Sequence, residues 1–348
     1  MKEKNDEIRR MLDMMPKVKL GFLPTPIHHL ERLSELLGVK IYLKRDDYAG
    51  ISQFGGNKIR KLEYLLAEAV RKGADTVITY GASQSNHAMQ TAAACGRLGI
   101  TPVLYLVNLL EEKDDPKANM VLNKILGAEI HLEAAAGESF SEGLKRCRAK
   151  AKDKMTELRN EGHSCYEIPM GGASGIGTIG FIEGFIEMTE QMEEMDVQAD
   201  HIYHASGSGG TLAGLAAGKM LSGSQAMIHA VGVGISHDRY KNDAAELGNE
   251  ALMLLGALQR VTAEDFDFHR EYAGPGYEIP NEESIDAMKL LARTEGIFLD
   301  PVYTSKAFSC MLDHIRSGLI EKGATVLFWH TGGIQALFAE KEILGNLL

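Results

Sequence analysis

The chain has 348 residues, 45% of them hydrophobic, and a formal net charge of -11. That length suits roughly two domains and is ample for a full core. The acidic balance argues against a nucleic-acid partner, which asks for a basic face, but leaves room for a small anion held by local amides. The opening stretch MKEKNDEIRRMLDMMPKVKL lacks the apolar centre of a secretory signal. No run approaches the roughly 18 apolar residues of a membrane span. A cytoplasmic protein without a membrane partner is expected. Cys95, Cys147, Cys165 and Cys310 show neither CxxC nor zinc spacing. Reduced, mostly buried thiols and no metal are the expectation. Glycine is the outlier: 37 in 348 residues is about 11%, against a usual level of about 7%.

Short β-branched runs alternate with longer amphipathic segments. Strands are predicted at 40–44, 75–79, 101–107, 128–132, 200–205, 227–233 and 324–329. Helices are predicted near 57–72, 86–98, 116–126, 140–159, 177–195, 210–222, 240–257, 282–295, 305–318 and 333–346. Such alternation implies an α/β fold with parallel sheets covered on both faces. Ligands of such sheets bind beyond the carboxyl ends of the strands. Glycine-rich breaks at 50–56 and 169–175 divide the chain. Residues 1–50 plus 171–348 would form a large domain and 51–170 a small one, with the active site in the cleft between them.

GGNKIRKLEYLLAEAV opens a helix, with Asn57 as the expected N-cap. On a 3.6-residue period Lys58 shares a stripe with Leu62, Leu65, Leu66 and Ala69, whereas Arg60, Glu63 and Tyr64 lie away from it. A lysine on an apolar face either has a function or snorkels to water. Desolvation favours its neutral, nucleophilic form. The next strand ends in YGASQSNHAMQ, which crowds Ser85, Asn86 and His87 into a strand-to-helix turn. Ser85 is either an N-cap or a ligand contact. Asn86 suits a bond to an aromatic hydroxyl, and His87 is a structural or a binding histidine.

Gly175, Gly177 and Gly180 match GxGxxG, but no strand leads directly into them, so close helix packing is the better account than a dinucleotide site. HIYHA runs into SGSGGTLAGLAAG. Gly207, Ser208, Gly209, Gly210 and Thr211 would present backbone amides at a helix N-terminus, a ready phosphate site. The alternative is a tight turn for close packing. In HIYH, His201 and His204 face opposite sides of a strand and make a poor metal pair. Late in the chain come GPGYEIPN, DPVYTSKA and HTGG. They bring Tyr277 and Tyr303, whose hydroxyls serve in acid–base work when held near a reacting centre.

The joint order of PTPIHHLERLSELLG, YLKRDD, GGNKIRKLEYLL, QSNH, IPMGG, SGSGGTLAGL, GPGY, DPVY and HTGG covers nearly the whole chain. It resembles the fold type II pyridoxal-phosphate enzymes, in particular the D-cysteine desulfhydrase / 1-aminocyclopropane-1-carboxylate deaminase group. The resemblance implies two open, twisted, mostly parallel sheets flanked by helices, and pyridoxal 5'-phosphate as cofactor. Lys58 would be the Schiff-base lysine, and Asn86 would bond the pyridoxal 3'-oxygen. Gly207, Ser208, Gly209, Gly210 and Thr211 would cradle the phosphate. Ser85, Tyr277 and Tyr303 would face an amino-acid substrate, with His87 as a further substrate contact.

The deaminase branch looks like DPVYEGK and HLGG, where this chain has Thr304 and Thr331. A neutral hydroxyl at the pyridine nitrogen suits elimination, in which the β-substituent departs with the electrons. The sequence therefore leans toward a desulfhydrase-like lyase that is expected to be a homodimer. Glu278 and Ser305 stand where that branch has glycine. Other β-substituted substrates (L-cysteate, 3-chloroalanine, D-serine) and the deaminase activity stay open. Two readings of other kinds are a nicotinamide oxidoreductase using Gly175, Gly177 and Gly180, and a non-catalytic pyridoxal-phosphate carrier.

Overall fold

The computed structural model describes residues 2–109, 116–135, 139–234, 237–339 and 341–347. In chain order the elements are α1 (Lys2–Asp13), β1 (Ile27–His29), α2 (Glu31–Leu37), β2 (Lys40–Arg45), α3 (Lys58–Arg71), β3 (Thr76–Ala82), α4 (Asn86–Leu98) and β4 (Thr101–Asn108). There follow α5 (Ala118–Ile125), β5 (Glu129–Ala134), α6 (Phe140–Asn160), β6 (Cys165–Glu167), α7 (Gly175–Glu194), β7 (His201–Ser206), α8 (Gly210–Ser222) and β8 (Met227–Gly232). The chain continues through α9 (Tyr240–Leu254), β9 (Asp267–His269), α10 (Glu282–Glu295), α11 (Thr304–Arg316), β10 (Thr325–His330) and α12 (Lys341–Leu344).

Two sheets result. The larger has the order β1-β2-β10-β7-β8-β9, and the smaller β5-β4-β3-β6. Every pairing is parallel except β1 against β2. All residues of β3 and β10 are buried, as parallel sheets covered on both faces require. One face of the large sheet packs Phe181, Phe185, Leu215 and Trp329 into a core with α7 and α8. The other packs Leu43, Tyr203, Phe308 and Phe328 with α11.

Sequence patterning found seven of these strands, because each is a continuous β-branched run; six agree within a residue or two, and β3 runs three residues past its predicted end. It missed β1, β6 and β9, which are three residues long and too short to show a period. It also missed α1 and α2. The single helix expected over 333–346 is instead a 3-10 turn at Ile334–Phe338 followed by α12. Gly333 at φ +102° precedes the 3-10 turn and Gly345 at φ +58° follows α12, so both ends of the expected helix are left-handed. The helix expected to continue to 257 ends at Leu254, with Gly256 left-handed at φ +72° beyond it.

The glycines of the GxGxxG run lie inside α7. A Cβ on Gly177 would fall 2.2 Å from the Gly172 carbonyl oxygen, and one on Gly180 would fall 2.1 Å from that of Arg60. They let α7 pack against α3 and its neighbouring turn, which accounts for the motif without a dinucleotide.

Candidate active site

Lys58 is the first residue of α3. The turn before it is fixed by a β-bridge between Gly56 and Gly332. Gly56 has φ +153°, and a Cβ there would meet the Thr331 carbonyl oxygen at 2.7 Å, so only glycine lets the two loops touch. Asn57 does not cap the helix as expected: its backbone is already helical and its side chain makes no cap bond. Instead its Oδ1 accepts a hydrogen bond from Lys58 Nζ at 3.0 Å. Burial lowers the Lys58 pKa to about 8, against a smaller upward pull from Asp300 and Asp46.

The stripe beneath Lys58 is buried as expected, but the opposite face of α3 is buried too. Arg60, Lys61, Glu63 and Tyr64 are each no more than 2% exposed. Arg60 donates to both oxygens of Asp46 and of Glu187 at 2.8–2.9 Å, and Lys44 Nζ also reaches Glu187, at 2.6 Å. This network ties α3 to the end of β2 and to α7.

The glycine loop enters α8 through Gly209, left-handed at φ +82°, so the amides of the first helical turn point into the loop. Tyr240 braces it, donating to the Gly207 carbonyl at 3.0 Å and bonding Ser206 Oγ at 2.8 Å. Lys61 Nζ lies against this loop, 2.8 Å from where a Cβ on Gly210 would be. It donates to the Gly171 carbonyl at 3.0 Å. A Cβ on Gly171 would in turn meet Ser208 Oγ at 2.3 Å. Burial and the neighbouring Lys58 push the Lys61 pKa well down. Among the described residues no carboxylate forms a salt bridge with Lys58 or Lys61. A half-buried and a fully buried amine beside a helix N-terminus therefore lack a salt-bridged carboxylate, and a phosphate fits that need.

The remaining motifs close around the same point. A Cβ on Gly333 would lie 2.8 Å from Asn86 Nδ2 and 3.2 Å from Asp300 Cγ. Asn86 Oδ1 accepts from Asn119 Nδ2 at 2.8 Å and Gln335 Nε2 at 2.6 Å, which leaves the Asn86 amide NH₂ as the donor. Asp300 is fully buried and accepts from the backbone N–H groups of Val302, Tyr303 and Thr304 at 2.8–2.9 Å. It also accepts from Thr304 Oγ1 at 2.6 Å. Thr304 Oγ1 accepts in return from the Asp300 N–H at 2.8 Å. The Thr304 hydroxyl is thus committed to the start of α11, a correction to its expected place at a pyridine nitrogen. Thr331 Oγ1 has no hydrogen bond among the described residues and is the remaining neutral hydroxyl.

Tyr277 and Tyr303 meet hydroxyl to hydroxyl, and the Tyr303 ring reaches the Gly207 position. Burial pushes both phenols up, with Glu278 adding to the rise. They stand as protonated donors at neutral pH. Glu278 is 3% exposed with φ +64°, a backbone that costs a non-glycine residue about 1–2 kcal/mol. Ser305 is fully buried within α11.

Two residues of the polar turn play structural parts. Ser85 caps α4, its Oγ accepting from the Ala88 N–H at 3.2 Å. His87 Nε2 bonds Thr79 Oγ1 at 2.9 Å. Its Nδ1 is buried without a partner, and burial, then Lys58 and Lys61, keep the ring neutral. Sequence reasoning missed Lys61, Asp300 and Tyr240. Lys61 was accessible in principle, since a residue three after Lys58 shares its helix face.

A lysine amine held part-neutral, a phosphate cradle with a second buried amine, and an amide donor between them define a site for an aldehyde-bearing phosphate cofactor. The chain belongs to the pyridoxal-phosphate dependent enzyme family, which it matches over residues 18–332. It is 38% identical over 331 residues to the D-cysteine desulfhydrases of Salmonella typhi and Salmonella newport (strain SL254), covering 94% of this chain and 97% of each relative. A solved structure described as an ACC deaminase homologue superposes with a TM-score of 0.87 at 38% identity, covering 98% of this chain and 99% of that one. A solved threonine deaminase from T.th. shares the fold alone, with a TM-score of 0.64 at 19% identity over 96% of this chain and 97% of its own.

Proposed function

We propose that this chain is a pyridoxal-phosphate-dependent β-elimination lyase acting on D-cysteine, which with water yields pyruvate, hydrogen sulfide and ammonia. The observation that carries the reading is Lys58, an amine whose burial brings its pKa to about 8 beside a phosphate cradle. When bound, the cofactor supplies an electron-withdrawing ring that stabilises negative charge at the substrate Cα. Lys58 Nζ would hold the cofactor through its aldehyde carbon, and its free amine is the base that takes the Cα proton. Gly207, Ser208, Gly209, Gly210, Thr211 and Lys61 hold the phosphate. Asn86 Nδ2 would donate to the ring hydroxyl oxygen, and Thr331 Oγ1 would face the ring nitrogen. Tyr277 and Tyr303, protonated, supply the proton that accompanies the departing sulfur. The C–S bond electrons leave with that sulfur, and the released enamine hydrolyses.

The N-terminus of α4, which Ser85 caps and which carries His87, is the seat of the substrate carboxylate. The cleft lies between a small unit of residues 51–170 and a large unit of 1–50 plus 171–348. The enzyme is a cytoplasmic homodimer in this reading. The desulfhydrase relatives support the substrate.

A panel of D- and L-β-substituted amino acids together with 1-aminocyclopropane-1-carboxylate tests the assignment. Pyruvate and sulfide from D-cysteine, at a kcat/KM at least about 100-fold above any other member, is expected; that ratio is about 2.7 kcal/mol of transition-state discrimination. Faster 2-oxobutyrate release from the cyclopropane substrate would overturn it in favour of deamination.

A further inference from the structure

The face of the large sheet under α11 carries a cluster of imidazoles that the active site does not use. His229 stands on β8, His269 ends β9 and His314 lies in the last turn of α11. One ring nitrogen from each lies within 4.8 Å of the other two. His229 Nδ1 and His269 Nε2 share a hydrogen bond at 3.1 Å, a contact that a bound metal would replace. Two ligand atoms on a tetrahedral zinc, each at about 2.0–2.1 Å from the metal, lie about 3.3–3.4 Å apart. The observed spacing is therefore close to one edge of such a tetrahedron.

The nitrogens outside the cluster are held from behind. His229 Nε2 meets His201 Nδ1 at 3.0 Å, and His269 Nδ1 faces Glu271 at 3.4 Å. His314 Nδ1 meets the Tyr203 hydroxyl at 2.7 Å, with Cys310 Sγ 3.7 Å from its Nε2. Partners of this kind fix tautomer and ring orientation in metal-bound histidines.

We propose that His229, His269 and His314 form a binding site for a divalent transition metal of the zinc class, which clamps α11 to the β8–β9 edge of the large sheet. Asp267 and Glu271 add negative charge at the rim. The sequence expectation of no metal rested on local spacing. These three imidazoles come from three separate elements, so no local motif reveals them.

The test is equilibrium dialysis of chelator-stripped holoprotein against zinc chloride, with zinc measured per chain. One zinc per chain is expected for wild type and for His237→Ala, which alters a mostly exposed histidine outside the cluster. His269→Ala is expected to weaken binding by more than about 100-fold, beyond the 10–100-fold typical of losing an outer partner. Equal zinc in wild type and His269→Ala, or none in wild type, would overturn the proposal. A measurement on wild type alone guards against a variant that fails to fold. The zinc X-ray absorption edge should report three imidazole ligands at about 2.0–2.1 Å, and an oxygen-only shell would overturn the site.

Discussion

At the scale of the residue, Lys58 decides the chemistry. A general base must be unprotonated, and a solvated lysine with a pKa of about 10.4 is not. Burial brings Lys58 to about 8, so a useful fraction is neutral near physiological pH. The sign follows: protonation below that value removes the base. The log of kcat for D-cysteine should rise with unit slope from about pH 6 and level off near pH 8. A kcat profile measured from pH 6 to 10 checks this, and a rise persisting to pH 10 would point to a solvated amine instead. Lys58 was legible in the sequence because lysine is out of place on an apolar stripe. Asp300 was not, because its role depends on backbone amides of its own turn and on Gly333, which lies 33 residues away in sequence. Thr304 misled for the same reason: its motif is recognisable, but its hydroxyl turns back to Asp300.

At the scale of the element, α3 is anchored by charge as much as by packing. Glu187 is buried, and although burial opposes ionisation, Arg60 and Lys44 hold its pKa at about 2. An unfolded glutamate titrates near 4.3, so the folded state holds the group depressed by roughly 2 units, on the order of 3 kcal/mol. That contribution is present above about pH 4.3 and is lost as pH falls toward 2. Urea denaturation should find Glu187→Gln markedly less stable than wild type at pH 7, with the gap narrowing by pH 3. A gap independent of pH would assign the loss to packing alone. Patterning correctly marks α3 as a helix and sets Arg60, Glu63 and Tyr64 off its apolar stripe, but gives no sign that they are buried. Periodicity assumes one wet face. A helix wedged between α4 and α7 is wet only toward its C-terminal end, and partners such as Asp46 and Glu187 are distant in sequence.

At the scale of the whole molecule, two parallel sheets bring the ends of several strands to one place. The turns that follow β3, β7 and β10 lead to Asn86 at the start of α4, to Gly207 to Thr211 at the entry to α8 and to Thr331, while the start of α3 and the turn before α11 add Lys58 and Tyr303. The alternation of strand and helix made this architecture readable, and the excess of glycine marked the crossing points. Gly56, Gly171, Gly209 and Gly333 each sit where a side chain would collide or where the backbone is left-handed. Lengths of three residues hid the edge strands β1 and β9 and the short β6, and with β9 the imidazole cluster. The central claim is that this assembly eliminates the β-substituent of D-cysteine through the Lys58 amine. Its most direct test is pyruvate formation from D-cysteine by wild type and by Lys58→Ala, each saturated with pyridoxal phosphate. Wild type should turn over and the variant should lose at least about 10⁴-fold in kcat, at the upper end of what a positioned general base contributes. Activity in Lys58→Ala within tenfold of wild type would contradict the account.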